Sequence, residues 1–98
     1  MVYTLYRAIS PSKKYYVGIT SRDFELRKEQ HILDAENNSP LKFHQAIRKY
    51  KEAIQWEIIA TIQNSEEAFE LERYFINKHD SYKNGYNMTP GGLGRGRD

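Results

Sequence analysis

Two short runs rich in β-branched and aromatic residues, VYTLYRAI (residues 2–9) and KYYVGIT (residues 14–20), flank Ser10, Pro11 and Ser12. Side chains of this kind pack well on a pleated surface, and a turn signal between two such runs predicts an antiparallel hairpin. Helix-forming sequence follows at once. Thr20 and Asp23 make a T-x-x-D capping pattern, and residues 22 to 36 contain neither Gly nor Pro, so a first helix is predicted there. The hairpin therefore has to be covered by what comes next, and the rest of the chain is read with that requirement in view.

Ser39 before Pro40 marks a second helix start, because proline is tolerated where the first amide has no helical partner. Phe43, Ala46, Ile47 and Tyr50 then recur at helical spacing and form a core stripe. In IQWEIIATI, residues 54–62, alternation places Ile54, Trp56, Ile58, Ala60 and Ile62 on one face of a third strand, with Gln55, Glu57 and Thr61 opposite. Asn64 or Ser65 can cap a last helix over 66–78, whose stripe runs Ala68, Leu71, Glu72, Phe75, His79. The expected architecture is α+β: a small three-stranded antiparallel sheet flanked by helices, in the order ββααβα, with no internal repeat. Asn84-Gly85 marks a turn. The terminal GGLGRGRD holds four glycines in eight residues, so a domain over 1–89 and a glycine-rich tail or linker start over 90–98 are expected.

With 98 residues, 39% hydrophobic and 29% charged, the chain can build one core. It has no cysteine, which excludes disulfides, thiolate nucleophiles and zinc-cysteine sites. It also shows no signal peptide and no apolar run of membrane-spanning length, so an intracellular, cytoplasmic protein without a membrane partner is expected. The net charge is +2, too near balance to argue for nucleic acid. Its distribution is uneven: residues 42–51 carry four cations and no acid, and residues 66–72 carry four acids. Solvated helix faces account for such clustering as well as a binding surface does. Eight tyrosines are many for this length.

Three features could carry chemistry. Glu72 interrupts an apolar stripe, and a buried carboxylate needs compensation. It either lies at the stripe's edge, reaching water or pairing with an arginine, or it is a ligand for a hard cation such as magnesium, which is often held by one or two carboxylates plus substrate phosphate. Arg27 and His31, four apart on the first helix, share a face and form either a solvated surface or a joint phosphate contact. Tyr3, Tyr6, Tyr15 and Tyr16 alternate across the hairpin, so some face outward or into a cleft.

T-L-Y at 4–6 with Y-V-G at 16–18 resembles the paired signature of the GIY-YIG nuclease superfamily. Arg27 with His31 one turn later, Glu72 within L-E-R-Y-F-I, and G-Y-N at 85–87 match that family's remaining motifs, and the resemblance spans residues 3 to about 92. It is nearest to the nuclease module of phage and intron-encoded homing endonucleases, through GYNMTPGG at 85–92. Thr4 stands where glycine is usual. The loop from Glu36 to Ser39 lacks a histidine found there in some homing members, with His44 appearing later.

The resemblance implies a metal-dependent DNA endonuclease acting on double-stranded DNA with Mg2+ or Mn2+. Tyr6 and Tyr16 would flank the attacking water, Tyr6 being the better candidate for general base, and Arg27 would stabilise charge on the scissile phosphate. Glu72 would hold the metal, Asn87 would orient or brace the site, and His31 would assist proton transfer or contact phosphate. Lys14, Arg22 and Lys42 would position DNA. The resemblance leaves room for a DNA-binding module with decayed activity and for a restriction or repair nuclease. It also implies a monomer in the absence of DNA, with specificity supplied by a further C-terminal DNA-binding domain or a partner subunit.

Overall fold

The computed structural model describes residues 1–91, so most of the glycine-rich tail, including Arg95 and Arg97, lies outside the described residues. The elements run β1 (Tyr3–Ile9), β2 (Tyr15–Thr20), α1 (Phe24–Glu36), α2 (Lys42–Tyr50), a single 3-10 turn (Lys51–Ala53), β3 (Gln55–Ile62) and α3 (Ser65–Lys78). The three strands form one antiparallel sheet in the order β2-β1-β3. This is the expected α+β architecture, ββααβα. Among the described residues no helix is long and apolar enough to cross a membrane.

Strand alternation sends the two faces of the sheet to two separate cores. Leu5, Val17 and Ile19 point toward α3 and pack with Ala68 and Ile76. Ala8 points the other way and packs with Ala35 of α1, Phe43 and Ile47 of α2, and Ile54. The hairpin is thus buried on both faces, which explains why the second half of β2, residues 17–20, is continuously buried. Because β2 is an edge strand, one row of its backbone groups is available to something other than a strand.

Three local expectations change. Both α1 and α2 begin two residues later than expected. The α1 cap is Asp23, whose carboxylate accepts from Leu26 N–H at 3.4 Å, while the Thr20 hydroxyl takes the Arg22 amide at 3.0 Å. Leu41 precedes α2 without a side-chain cap, and Ser39 instead accepts from the Leu41 amide. The alternation expected along β3 fails at Ile58, which is 54% exposed. Leu5 pairs with Ala60 but Tyr6 pairs with Ile58, so Ile59 is an extra residue in a β-bulge, and the side chains on its two sides are out of phase. At α3 the cap is Asn64, one of the two expected, accepting from Glu67 N–H at 2.9 Å, and the helix begins at Ser65, one residue earlier than expected.

Candidate active site

The hairpin separates its four tyrosines by face, as period-two geometry requires. Tyr15 lies on the α3 side, stacked on His79 with ring centroids 4.0 Å apart, and Tyr3 packs edge-on against Phe69. Tyr6 and Tyr16 point toward α1 and α2. Tyr16 stacks on Phe43 at 4.1 Å and is nearly parallel to it, which fixes one wall of a cavity of about 270 Å³. Tyr6 is only 1% exposed and lies directly behind that wall. A Cβ built on Gly18, a residue of the cavity lining, would stand 2.6 Å from both Cζ and the hydroxyl oxygen of Tyr6. The glycine of Y-V-G is therefore required by the tyrosine across the hairpin: its missing side chain is the space that the phenol fills.

From α1 come Arg27 and His31, both lining the cavity. His31 is 3% exposed, and its Nε2 is 2.9 Å from the Tyr6 hydroxyl. Its Nδ1 is 2.9 Å from Nε2 of His44 on α2, whose Nδ1 in turn lies 2.6 Å from the Ser39 hydroxyl. Burial, then the positive charge of Arg27, then His44 push the His31 pKa down from 6.5 to about 3, so its imidazole is neutral at neutral pH. His44 is lowered mainly by burial, with Asp34 opposing and Arg27 and Arg48 reinforcing the shift.

Glu72 reaches the same cavity from α3, around the open edge of β2. It is 2% exposed, which settles its placement within the stripe rather than at the stripe's edge. The segment after G-Y-N closes over it: Thr89 lines the cavity, and a Cβ on Gly91 would come within 3.4 Å of the Glu72 carboxylate. Asn87 also lines the cavity, but its amide is engaged with the sheet. Its Nδ2 donates to Val17 O at 2.8 Å, and its Oδ1 accepts from Val17 N–H at 2.9 Å and from the Ser81 hydroxyl at 2.7 Å. It occupies the place of a neighbouring strand at the β2 edge and so braces the strand carrying Tyr16 and Gly18.

Five of the six expected catalytic residues, Tyr16, Arg27, His31, Glu72 and Asn87, thus line one cavity, with Tyr6 behind its wall. Of the expected DNA contacts, Lys14 and Lys42 lie in an adjoining groove of about 670 Å³ that shares Tyr86 with the cavity. Lys49 and Lys83 line that groove too, and neither was singled out from the sequence. Arg22 is exposed and lines neither hollow. A roomier hollow of about 910 Å³, between Trp56 and the ends of α1 and α2, contains none of these site residues. Ser39 and Ser81 were not anticipated at the site and become visible only through their partners, whereas His44 was noted only as the histidine that follows the loop lacking one and was given no role.

A basic and a carboxylate side chain face one cavity, backed by a buried tyrosine–histidine pair, on a braced three-stranded sheet, a set able to receive a phosphate group. The model of the GIY-YIG catalytic domain matches residues 2–87, and the chain belongs to that family of endonucleases. Two solved structures are similar to it. One is a glutamate-to-alanine mutant of the catalytic domain of intron endonuclease I-TevI (26% identity, TM-score 0.78, covering 92% of this chain and 96% of that one). The other is the catalytic domain of homing endonuclease I-TevI (26% identity, TM-score 0.76, 89% and 98% covered). No curated protein sequence matches the chain.

Proposed function

We propose that the chain is the catalytic module of a homing-type endonuclease that hydrolyses phosphodiester bonds in double-stranded DNA with the help of Mg2+ or Mn2+. The observation that carries this reading is the convergence of Glu72 from α3, Arg27 and His31 from α1, and Tyr16 from β2 on one cavity, with the Tyr6 hydroxyl immediately behind it. Those side chains come from both faces of the sheet, and a fold needing only a core has no reason to bring them together. A module with decayed activity would be expected to have lost some of them.

The donor set fits a hard divalent cation such as magnesium. Glu72 offers a buried carboxylate at the cavity, while no group of three His, Cys, Asp or Glu is placed to hold a metal among the described residues. A hard cation that keeps several waters and takes substrate phosphate as a further ligand is satisfied by such a site. When bound, the ion polarises the phosphate and stabilises the leaving 3′ oxygen.

The chain's own residues supply the rest. Arg27, a permanently charged fork, neutralises charge developing on the phosphate. Tyr16, at the cavity, and Tyr6, whose hydroxyl meets the cavity lining at Gly18, would flank the attacking water, with Tyr6 accepting its proton. A phenol of ordinary pKa about 10 is a poor base at neutral pH unless its own proton has somewhere to go, and neutral His31, 2.9 Å away, is an acceptor. Lys14, Lys42, Lys49 and Lys83 give the duplex backbone a positively charged track leading to the cavity. Such contacts supply affinity without sequence information, so specificity falls to a further domain or partner beyond the glycine-rich segment starting at residue 90.

Incubation of the chain with supercoiled plasmid, with Mg2+ or with EDTA, tests the reading: nicked or linear product in Mg2+ alone is expected. An intact plasmid across Mg2+ and Mn2+ would overturn it.

A further inference from the structure

We propose that His44 and Ser39 form the outer end of a proton relay that serves Tyr6, carrying its proton through His31 to the loop before α2. The proposal rests on the nuclease reading given above. What supports it is an unbroken chain of contacts, Tyr6 Oη to His31 Nε2 (2.9 Å), His31 Nδ1 to His44 Nε2 (2.9 Å) and His44 Nδ1 to Ser39 Oγ (2.6 Å). Both imidazoles are 3% exposed, and Ser39 at the far end is half-buried. The chain therefore starts behind the cavity wall and ends near the surface.

A neutral imidazole has one N–H and one bare nitrogen, so each ring donates on one side and accepts on the other. With both rings neutral, the four groups have two self-consistent settings. In the outward one Tyr6 donates to His31, His31 to His44, and His44 to Ser39; in the inward one every arrow is reversed. The two imidazoles cannot be set independently, and a proton entering at one end must leave at the other.

The charged groups around the pair are Arg27 and Asp34 on α1, Arg48 on α2 and Glu72, which lines the same cavity from α3. Burial of both rings, with Arg27 beside them, disfavours holding the proton on either one, which suits a conduit better than a store.

In the outward setting the step balances as follows. The water oxygen forms its bond to phosphorus as the bond to the 3′ oxygen breaks. The water proton passes to Tyr6 Oη, while the Tyr6 proton moves to His31 Nε2, that of His31 Nδ1 to His44 Nε2, and that of His44 Nδ1 to Ser39 Oγ, whose own proton leaves to solvent. The 3′ oxygen takes a proton from solvent. His44 and Ser39 touch neither substrate nor metal in this scheme, and are positioning residues.

The test is single-turnover cleavage of a duplex by His44→Phe and Ser39→Ala across pH 6–9, beside Tyr6→Phe and the Tyr6→Phe/His44→Phe pair. His44→Phe should lower kcat by about 10- to 100-fold, a share of the ~10²–10⁴ that positioned proton transfer contributes, with KM for the duplex within about twofold. Its loss should shrink as pH rises, because solvent hydroxide takes over the outlet. The double variant should be no slower than Tyr6→Phe alone, since groups acting as a unit are not additive.

A folded His44→Phe with wild-type kcat at every pH, or losses that add to those of Tyr6→Phe, overturns the relay. If His44→Phe does not fold, Ser39→Ala, which keeps both rings, decides by the same criteria. Imidazole 15N shifts of the wild-type chain at pH 7 report the relay without any cleavage: one protonated and one bare nitrogen on each ring are expected, and a cationic His31 overturns it. A wild-type chain that shows this pattern but cuts no DNA would sink the nuclease reading and leave the hydrogen-bonded chain standing.

Discussion

At the scale of single residues, the proposed mechanism divides the site into groups that would touch the reacting atoms and groups that hold them in place, and the two should respond differently to substitution. Arg27 belongs to the first. Arg27→Ala removes one phosphate contact among several from binding but the main transition-state cation from catalysis, so kcat should fall by at least about 100-fold with duplex affinity changed by less than about threefold. Equal losses in rate and affinity would make it a positioning cation. Asn87 belongs to the second. Its amide satisfies the N–H and C=O of Val17 and takes the Ser81 hydroxyl, so Asn87→Ala leaves buried backbone groups unmet. A stability loss of about 2–4 kcal/mol by denaturant titration is expected from groups of this kind; an unchanged midpoint would show that the brace is dispensable.

Period-two alternation made the separation of Tyr6 and Tyr16 from Tyr3 and Tyr15 legible, and a carboxylate in an apolar stripe pointed to Glu72. Only the family resemblance offered a bracing role for Asn87, and nothing offered one for His44, because the contacts that define each lie far away in the chain, Val17 for Asn87 and His31 for His44, and side-chain pairing across elements has no periodic signature.

At the scale of elements, α1 and α2 dock through a pair of buried neutral histidines, with Arg48 of α2 donating to the Ala35 carbonyl at 2.8 Å. This makes their packing sensitive to acid. His31 has a folded pKa of about 3 against an ordinary 6.5. The unfolded chain therefore takes up a proton that the folded chain refuses, and the stability present above pH 6.5 is lost progressively as pH falls toward 3. For His31 alone the loss amounts to about 2 kcal/mol by pH 5. His79, lowered by burial and by Arg7 beside it, acts in the same direction. Urea midpoints at pH 7.5 and 5 should fall accordingly, and the fall should be smaller in His31→Gln; an equally steep fall in that variant would remove His31 as the cause. The order and type of the elements were readable because each has a strong hydrophobic period. The bulge at Ile59 was not, because it is set by how β3 meets β1 and not by any residue within β3.

At the scale of the whole molecule, a net charge of +2 provides little general attraction for DNA, so binding should depend on where the cations sit. Changing Lys14, Lys42, Lys49 and Lys83 together to Gln should lower the salt slope of duplex binding by about 3–4, near 0.9 for each lysine removed. The same change to Lys28, Lys51, Arg73 and Lys78, which leaves an identical net charge of −2 (+2 minus 4), should lower it by less than 1. Equal effects would show that the groove is not the track. Binding by the unmodified chain should be weak and nearly indifferent to sequence, since the proposed site would read phosphate and metal and not base edges. Chain order, family motifs and the carboxylate were available from the sequence, but the groove was only half legible: Lys14 and Lys42 come together with Lys49 and Lys83 through folding of the hairpin, α2 and the loop after α3.

In the proposed mechanism one buried carboxylate, Glu72, recruits the metal that makes this cavity a nuclease. The measurement that tests this role most directly compares Glu72→Gln with the wild-type chain in Mg2+, following plasmid cleavage alongside Mn2+ binding by proton relaxation in the absence of DNA. Glutamine keeps the side chain's volume and removes its charge, so the variant should fold as wild type does, bind Mn2+ at least about tenfold more weakly and show no cleavage above background. A folded Glu72→Gln that still binds the ion and cuts the plasmid at the wild-type rate would contradict the account.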